Sequence, residues 1–311
     1  METKPKLLPY FLLLIHSVII GLSYIFVKLS MQQAETFDVL AQRFSLAFLA
    51  VLLYNLIKKP DMHFSGRDLV RLLPLGILYP ITFFLLQIFG LRYATAMQTG
   101  IVTSIAPVVT IFFARFLIKE PIRSQQVVGV LVAVLGVILL QWMNLSQSEV
   151  GESIGFVLVF ASVFVMSLNI VLTRSYTKEY SWEKITTFII SLSWLFFNLL
   201  ALGRHLYLGE WASFFTPLMN QQYLLVLAFL GVLSSFGTSL ITAYALTHVP
   251  SVPVAVFASF SPLVTIPSSI LILGEPFYWY HLAGGILITL GALVTNLYKR
   301  KQSTNNDRKV A

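Results

Sequence analysis

SIAPVVTI (Ser104–Ile111) and SFSPLVTI (Ser259–Ile266) are one phrase written twice, 155 positions apart. The same shift places Glu120-Pro121 on Glu275-Pro276, Gly76 on Gly231, Gly129 on Gly284 and Gly136 on Gly291 without a gap. Between 104 and 121 seven of eighteen positions are identical. A shift of 146 lays SYIFVK (Ser23–Lys28) over NIVLTR (Asn169–Arg174). The chain therefore reads as two related halves, 1–143 and 152–298, followed by a basic tail, 299–311. Self-similarity at a fixed offset is the first feature to seek in a sequence, because it sets the architecture.

Working outward from the repeat, the composition states the solvent. The 311 residues are 57% hydrophobic and 11% charged, with a mean hydropathy of +0.81, where a soluble domain is about 45–50% apolar and about 25% charged. A bilayer crossing needs ~20 apolar residues. Apolar runs bounded by turns or charges fall at 8–28, 38–57, 70–91, 96–117, 125–143, 154–173, 184–203, 222–246, 252–273 and 277–298. These predict an all-α integral membrane protein of ten transmembrane helices, with no length left for a folded domain outside the membrane. Strands are not expected, because the runs lack the alternation that a barrel strand needs. The first run follows Lys4 and Lys6 like a leader peptide, but it is too long for one and lacks a small-residue cleavage site, so it is expected to be retained.

Sixteen Lys and Arg fall on one side of these ten crossings, and Lys28, Arg92 and Arg204 on the other. Positively charged loops stay in the cytoplasm, so both termini are expected inside. This bias also accounts for the formal net charge of +8 without a nucleic-acid partner. Since each half holds five helices, the second must enter the membrane from the opposite face, which makes the repeats inverted. Inverted repeats are the architecture of secondary transporters, with a site near the midplane where the halves meet.

GLSYIFVK (Gly21–Lys28), Arg43-Phe44, the SxxPVVTIFFARFLIKEP block at 104–121 and its counterpart SFSPLVTIPSSILILGEP at 259–276, each followed by a glycine-spaced helix, resemble the EamA family of the drug/metabolite transporter superfamily. The likeness runs over nearly the whole chain. One departure is Ile20 before Gly21, where members often carry Trp. The resemblance implies export or exchange of a small metabolite, amino acid or amphipathic compound across a plasma membrane, usually the bacterial inner membrane.

The thirteen carboxylates sit in loops, tails or helix ends, which argues against a proton relay built on a buried acid. Glu120 and Glu275 read as helix punctuation, each an acid before a Pro that opens the next helix. Arg43 is a cation inside helix 2. It is expected to snorkel outward, to pair with carbonyls or a helix end, or to act as a gate or substrate contact. His16 lies near the middle of helix 1 and pairs through the repeat with Ser162, as Ser23 does with Asn169. One-faced polar stripes run through Tyr79, Thr82, Phe83 and Gln87 in helix 3, and Thr99, Thr103, Pro107 and Thr110 in helix 4. Helices 8 and 9 repeat the theme with Ser235, Thr238, Ser239 and Thr242, then Ser259, Ser261 and Thr265.

From these we select His16, Tyr79, Thr82, Gln87, Thr99, Thr103, Ser162, Asn169, Thr238 and Ser261 as candidate solute contacts. They are expected in a cavity lined by helices 1, 3, 4, 6, 8 and 9. Pro107 and Pro262, repeat equivalents inside helices, are candidate paired hinges that free backbone carbonyls. Arg43 is the candidate gate. Helices 5 and 10, with Gly129, Ala133, Gly136 and Gly284, Gly285, Gly291, read as a close-packed scaffold.

The expected activity is that of a secondary transporter, not an enzyme. Its partners would be a small-molecule substrate and the lipid bilayer, with no metal, no cofactor and no nucleic acid, in a monomer or a homodimer. An uptake carrier or a nucleotide-sugar/phosphate exchanger is the alternative, although phosphate would call for clustered Lys and Arg at the midplane. A channel would need a charged ring or filter loop. A membrane enzyme would need a nucleophile–base pair or a metal cluster at depth.

Overall fold

The computed structural model describes residues 7–119, 124–145 and 150–296, and among these there is no strand. Glu120, Pro121 and the 299–311 tail lie outside the described residues. Eight helices are long and apolar enough to cross a membrane: α1 (Leu7–Met31), α2 (Thr36–Lys58), α3 (Gly66–Tyr93), α4 (Ala96–Ile118), α6 (Ser153–Tyr176), α7 (Trp182–Leu208), α8 (Gln221–His248) and α9 (Ser251–Leu273). Helix α5 (Ser124–Leu145) and helix α10 (Trp279–Asn296) pack along each other.

Helix ends follow the local chemistry. Ser65 begins α3 and Thr95 begins α4 with a capping box, each hydroxyl accepting the N–H of the residue three further on and that residue's side chain returning the favour. Lys119 closes α4 and Gly274 closes α9 in the left-handed region, at φ 57° and 65°, so the repeat equivalents end their helices with the same backbone turn. Glu275 departs from the expectation that it punctuates its own helix. Its carboxylate crosses to the other half and accepts the Ala96 and Met97 N–H groups at 2.7 and 2.9 Å. Together with Thr95 it satisfies the free donors at the start of α4, where a negative charge also meets the helix dipole.

Four of the long helices are interrupted, at two repeat-equivalent pairs of positions. Helix α3 is kinked within Ile77–Thr82, and α8 widens into a π-helical stretch at Phe229–Gly237. Pro80 removes a helical N–H, and Tyr79 before it is extended (φ −139°, ψ 124°). Helix α4 breaks at Ser104–Ile105 and α9 at Ser259–Ser261, where the chain tightens to i→i−3 bonds. Pro107 and Pro262 are therefore not interior prolines as expected. Each stands in the first turn of the segment after a break, where a missing N–H costs nothing.

The two halves meet reciprocally. A Cβ on Gly136 would lie 2.9 Å from the Gly284 carbonyl, and one on Gly291 would lie 2.5 Å from the Gly129 carbonyl. The 155-residue shift exchanges these two contacts. Such mutual contacts are what a two-fold relation between like units produces, and they need glycine because backbone meets backbone. On the axis of that relation, Ser104 Oγ donates to the carbonyl of its own equivalent, Ser259, at 3.1 Å. The outward faces are apolar, as with Leu53, Leu56 and Ile57 on α2 or Leu195, Leu199 and Leu202 on α7, which suits contact with lipid.

Candidate functional site

A cavity lies between the halves, lined by residues of α1, α2, α3, α6, α7, α8 and α9. Helices α2 and α7 were not expected in its wall. They enter through Arg43 and through Ile185 and Ile189. Helix α4 contributes no lining residue. Its threonines turn back on their own helix, Thr99 donating to the Thr95 carbonyl at 2.9 Å and Thr103 to that of Thr99 at 2.8 Å, the local bond that competes with any outward role. With its hydrogen so used, Thr103 accepts from the Tyr24 hydroxyl at 2.8 Å, and Tyr24, not Thr103, faces the cavity.

Of the ten candidate contacts, His16, Tyr79, Gln87, Asn169 and Thr238 are brought together in this wall. Thr82 points away, its hydroxyl donating to the Ile77 carbonyl. Ser162 donates to the Val159 carbonyl at 2.6 Å. Ser261 is buried in the α9 break, and its Oγ has no hydrogen-bond partner. In the wall itself, His16 Nε2 meets Thr242 Oγ1 at 3.1 Å, while His16 Nδ1 is buried without a partner. Buried polar atoms are usually hydrogen-bonded, so an unpaired nitrogen beside a cavity is a candidate ligand contact.

Arg43 does not snorkel. It is 2% exposed, and its Nε and Nη2 donate to Ser235 Oγ at 2.6 Å and Ser234 Oγ at 2.9 Å. Its Cζ stands 4.2 Å from the centre of the Phe84 ring, a cation–π contact. The wide turn of α8 presents both serines, and Gly231 lets α8 approach. A Cβ there would lie 2.8 Å from the Arg43 carbonyl. π-Helical turns of this kind recur at functional sites. Among the described residues no Asp or Glu lines the cavity, and none forms an ion pair with Arg43.

Carboxylates do act at the ends of the bundle. Buried Asp38 at the start of α2 accepts from Arg204 at 3.5 Å and meets His205 Nε2 at 2.8 Å, while His205 Nδ1 reaches the Glu210 carbonyl at 3.0 Å. At the other end Lys184 donates to Asp68 at 2.9 Å, joined by the Tyr180 hydroxyl. The sequence held these residues but no spacing that pairs them, because the partners are 112–167 positions apart. Among the described residues no group of His, Asp and Glu is placed to hold a metal ion.

The EamA-like transporter family model matches residues 7–142 and again 153–297. The chain belongs to that family. With it comes membership of the drug/metabolite transporter superfamily. It is 33% identical over 295 residues to a Bacillus subtilis (strain 168) protein named as the uncharacterized transporter YcxC, covering 94% of each chain. It is 27% identical to the uncharacterized transporter YetK of the same organism, covering 91% of this chain and 85% of that one. A solved crystal structure 16% identical in sequence superposes with a TM-score of 0.67 over 94% of this chain and 97% of the other, a likeness of fold. This EamA-type protein is a multi-pass membrane transporter.

Proposed function

We propose that this transporter is a secondary carrier with ten crossing helices, α1–α10, in two inverted halves, 1–143 and 152–298, with both termini and the 299–311 tail in the cytoplasm. The reciprocal glycine contacts and the matched interruptions of α3 with α8 and of α4 with α9 support the inversion. Five helices per half support the opposite insertion of the second. The cavity between the halves binds a small solute through His16, Tyr79, Gln87, Asn169 and Thr238, and the halves exchange conformations around it, as alternating access requires.

The observation that carries this reading is that the cavity holds polar side chains among transmembrane helices, is shared by both halves and is flanked by helices broken at equivalent places. Interrupted helices in a membrane protein line cavities where their freed backbone groups find partners, and they supply the bends that rocking needs. The paired interruptions next to Pro107 and Pro262 are the hinges, and Arg43 with its serines ties α2 to α8 across the halves. Export or exchange across the bacterial inner membrane is the direction that fits the family.

Two measurements test the proposal. In proteoliposomes a carrier gives saturable flux that an opposing gradient of the same solute accelerates, whereas flux linear in concentration would identify a channel and overturn it. Single cysteines placed in this cysteine-free chain at Ser65 and at Ser148 are expected to react from the cytoplasmic and the external side respectively. The reverse pattern would overturn the orientation.

A further inference from the structure

We propose that Arg43 is the anion-binding group of the cavity and that the solute it receives is a small monocarboxylate with an apolar body. This deepens the carrier reading above and rests on it for the claim that the ligand is transported.

The guanidinium offers five N–H groups, and the described hydrogen bonds use two of them, one at Nε and one at Nη2. The remaining three belong to a side chain that lines the cavity. Ser234, Ser235 and the Phe84 ring hold it in place but carry no negative charge, so among the described residues this buried cation is left without a counter-charge. Placing a charge in a membrane interior is expensive unless it is paired. A bound anion supplies the missing partner, and a carboxylate matches the planar fork of the guanidinium with two parallel hydrogen bonds.

The rest of the wall narrows the class. Among the described lining residues Arg43 is the only Arg or Lys, which matches one negative charge and gives a phosphate dianion too little. Beside it lie Ile20, Met166, Ile170, Ile185 and Ile189, an apolar bed for a hydrocarbon body. With no acid among the described lining residues, a cationic amphiphile finds no counter-charge there, and the ammonium of an amino acid meets only neutral acceptors. The cavity is small, about 50 Å³, so the ligand is small.

The test compares 4-methylpentanoate with 4-methylpentanamide, 4-methylpentylamine and leucine, which share one branched body, by calorimetric binding to the full chain in nanodiscs. 4-Methylpentanoate is expected to bind at least ten-fold more tightly than the amide or the amine, with leucine between. Arg43→Gln should erase the preference for the carboxylate, and Arg43→Lys should keep part of it. The proposal is overturned if the amide or amine binds as tightly as the acid, if leucine binds more tightly than the acid, if none of the four binds, or if Arg43→Gln keeps the preference. Should Arg43→Gln fail to fold, the wild-type ranking decides alone. Counterflow in proteoliposomes separates the two readings. Carboxylate binding without counterflow overturns the carrier and leaves the anion site, whereas counterflow of the amide or amine alone keeps the carrier and overturns the anion site.

Discussion

Two corners of the cavity are related by the repeat and filled differently. In one, α2 brings Arg43 to Ser234 and Ser235 on the widened turn of α8. In the other, the shifts of 146 and 155 put Ile189 of α7 where Arg43 stood, and Tyr79 and Pro80 of α3 where the serines stood. Both helices are interrupted beside a glycine of close approach, at Gly76 before Ile77–Thr82 and at Gly231 within Phe229–Gly237, α3 by the extended Tyr79 and α8 by a π-helical turn. The side chains differ. A second pair behaves alike, since Tyr24 and Thr103 form a hydrogen bond where the other half has Ile170 and Ala258. The repeat thus shares how the halves pack, while at these positions the polar contacts fall on one side, giving a pseudo-symmetric fold an asymmetric site.

Making the corners alike is the hardest test of that contrast. Arg43→Ile copies Ile189 and is expected to cut saturable transport at least ten-fold, from the about 1.5–3 kcal/mol that a hydrogen bond to a charged group contributes. The melting temperature should hold or rise, because replacing a buried uncompensated charge with an apolar side chain is often neutral or stabilising. Transport at the wild-type rate would mean that the asymmetry is incidental to function.

The next test uses the shared glycines. A Cβ at 231 meets the Arg43 carbonyl at 2.8 Å and Leu46 Cβ at 2.7 Å, whereas one at 76 meets the end of the Leu192 side chain at 2.6 Å. Backbone cannot step aside and a methyl can. Gly231→Ala should therefore cost about 1–3 kcal/mol of stability, and Gly76→Ala distinctly less, read as melting temperatures in one detergent. Equal losses would show that the two approaches are equally tight and that the corners differ only in chemistry.

How much of this was legible beforehand follows the range of the forces involved. The repeat, the apolar runs and the twin Ser-x-x-Pro blocks are local patterns, and they gave the two halves and the long helices. Pro107 and Pro262 marked the right places for the wrong reason, since a proline in a helical run looks the same whether it kinks a helix or restarts one. Thr99 and Thr103 sit on a polar stripe as expected, but each hydroxyl adds a second bond to the carbonyl one turn back, and spacing cannot tell that from facing a solute. Arg43 was visible as an oddity. Its serine partners, 191 and 192 residues away, were not, because no short-range pattern links them. Glu275 was similarly half read. Its acid does serve a helix start, but that of α4 in the other half.

That crossing gives a smaller expected effect. Glu275→Gln keeps one carbonyl acceptor for the Ala96 and Met97 N–H groups and loses the charge that meets the α4 dipole, so stability should fall by about 1 kcal/mol. Chemical denaturation in mixed micelles reads it. An unchanged midpoint would place the cap outside the interactions that hold the halves together.

The smallest effect separates the second polar pair from its apolar equivalent. Tyr24→Phe removes the donor to Thr103 Oγ1 but leaves the ring in its buried place. Thr103 keeps its bond to the Thr99 carbonyl, so the change deletes one hydrogen bond without stranding a donor, and the loss should lie near the lower end of about 0.5–1.5 kcal/mol. Ile170→Leu in the other half keeps volume and removes no polar contact, so it should stay below that. Because Tyr24 lines the cavity and Thr103 stands behind it, solute affinity is expected to respond to Tyr24→Phe more than to Thr103→Val, measured by calorimetry with the same probe. If Thr103→Val weakens binding more, α4 reaches the solute during the transport cycle, and the polar stripe on that helix belongs to the site after all.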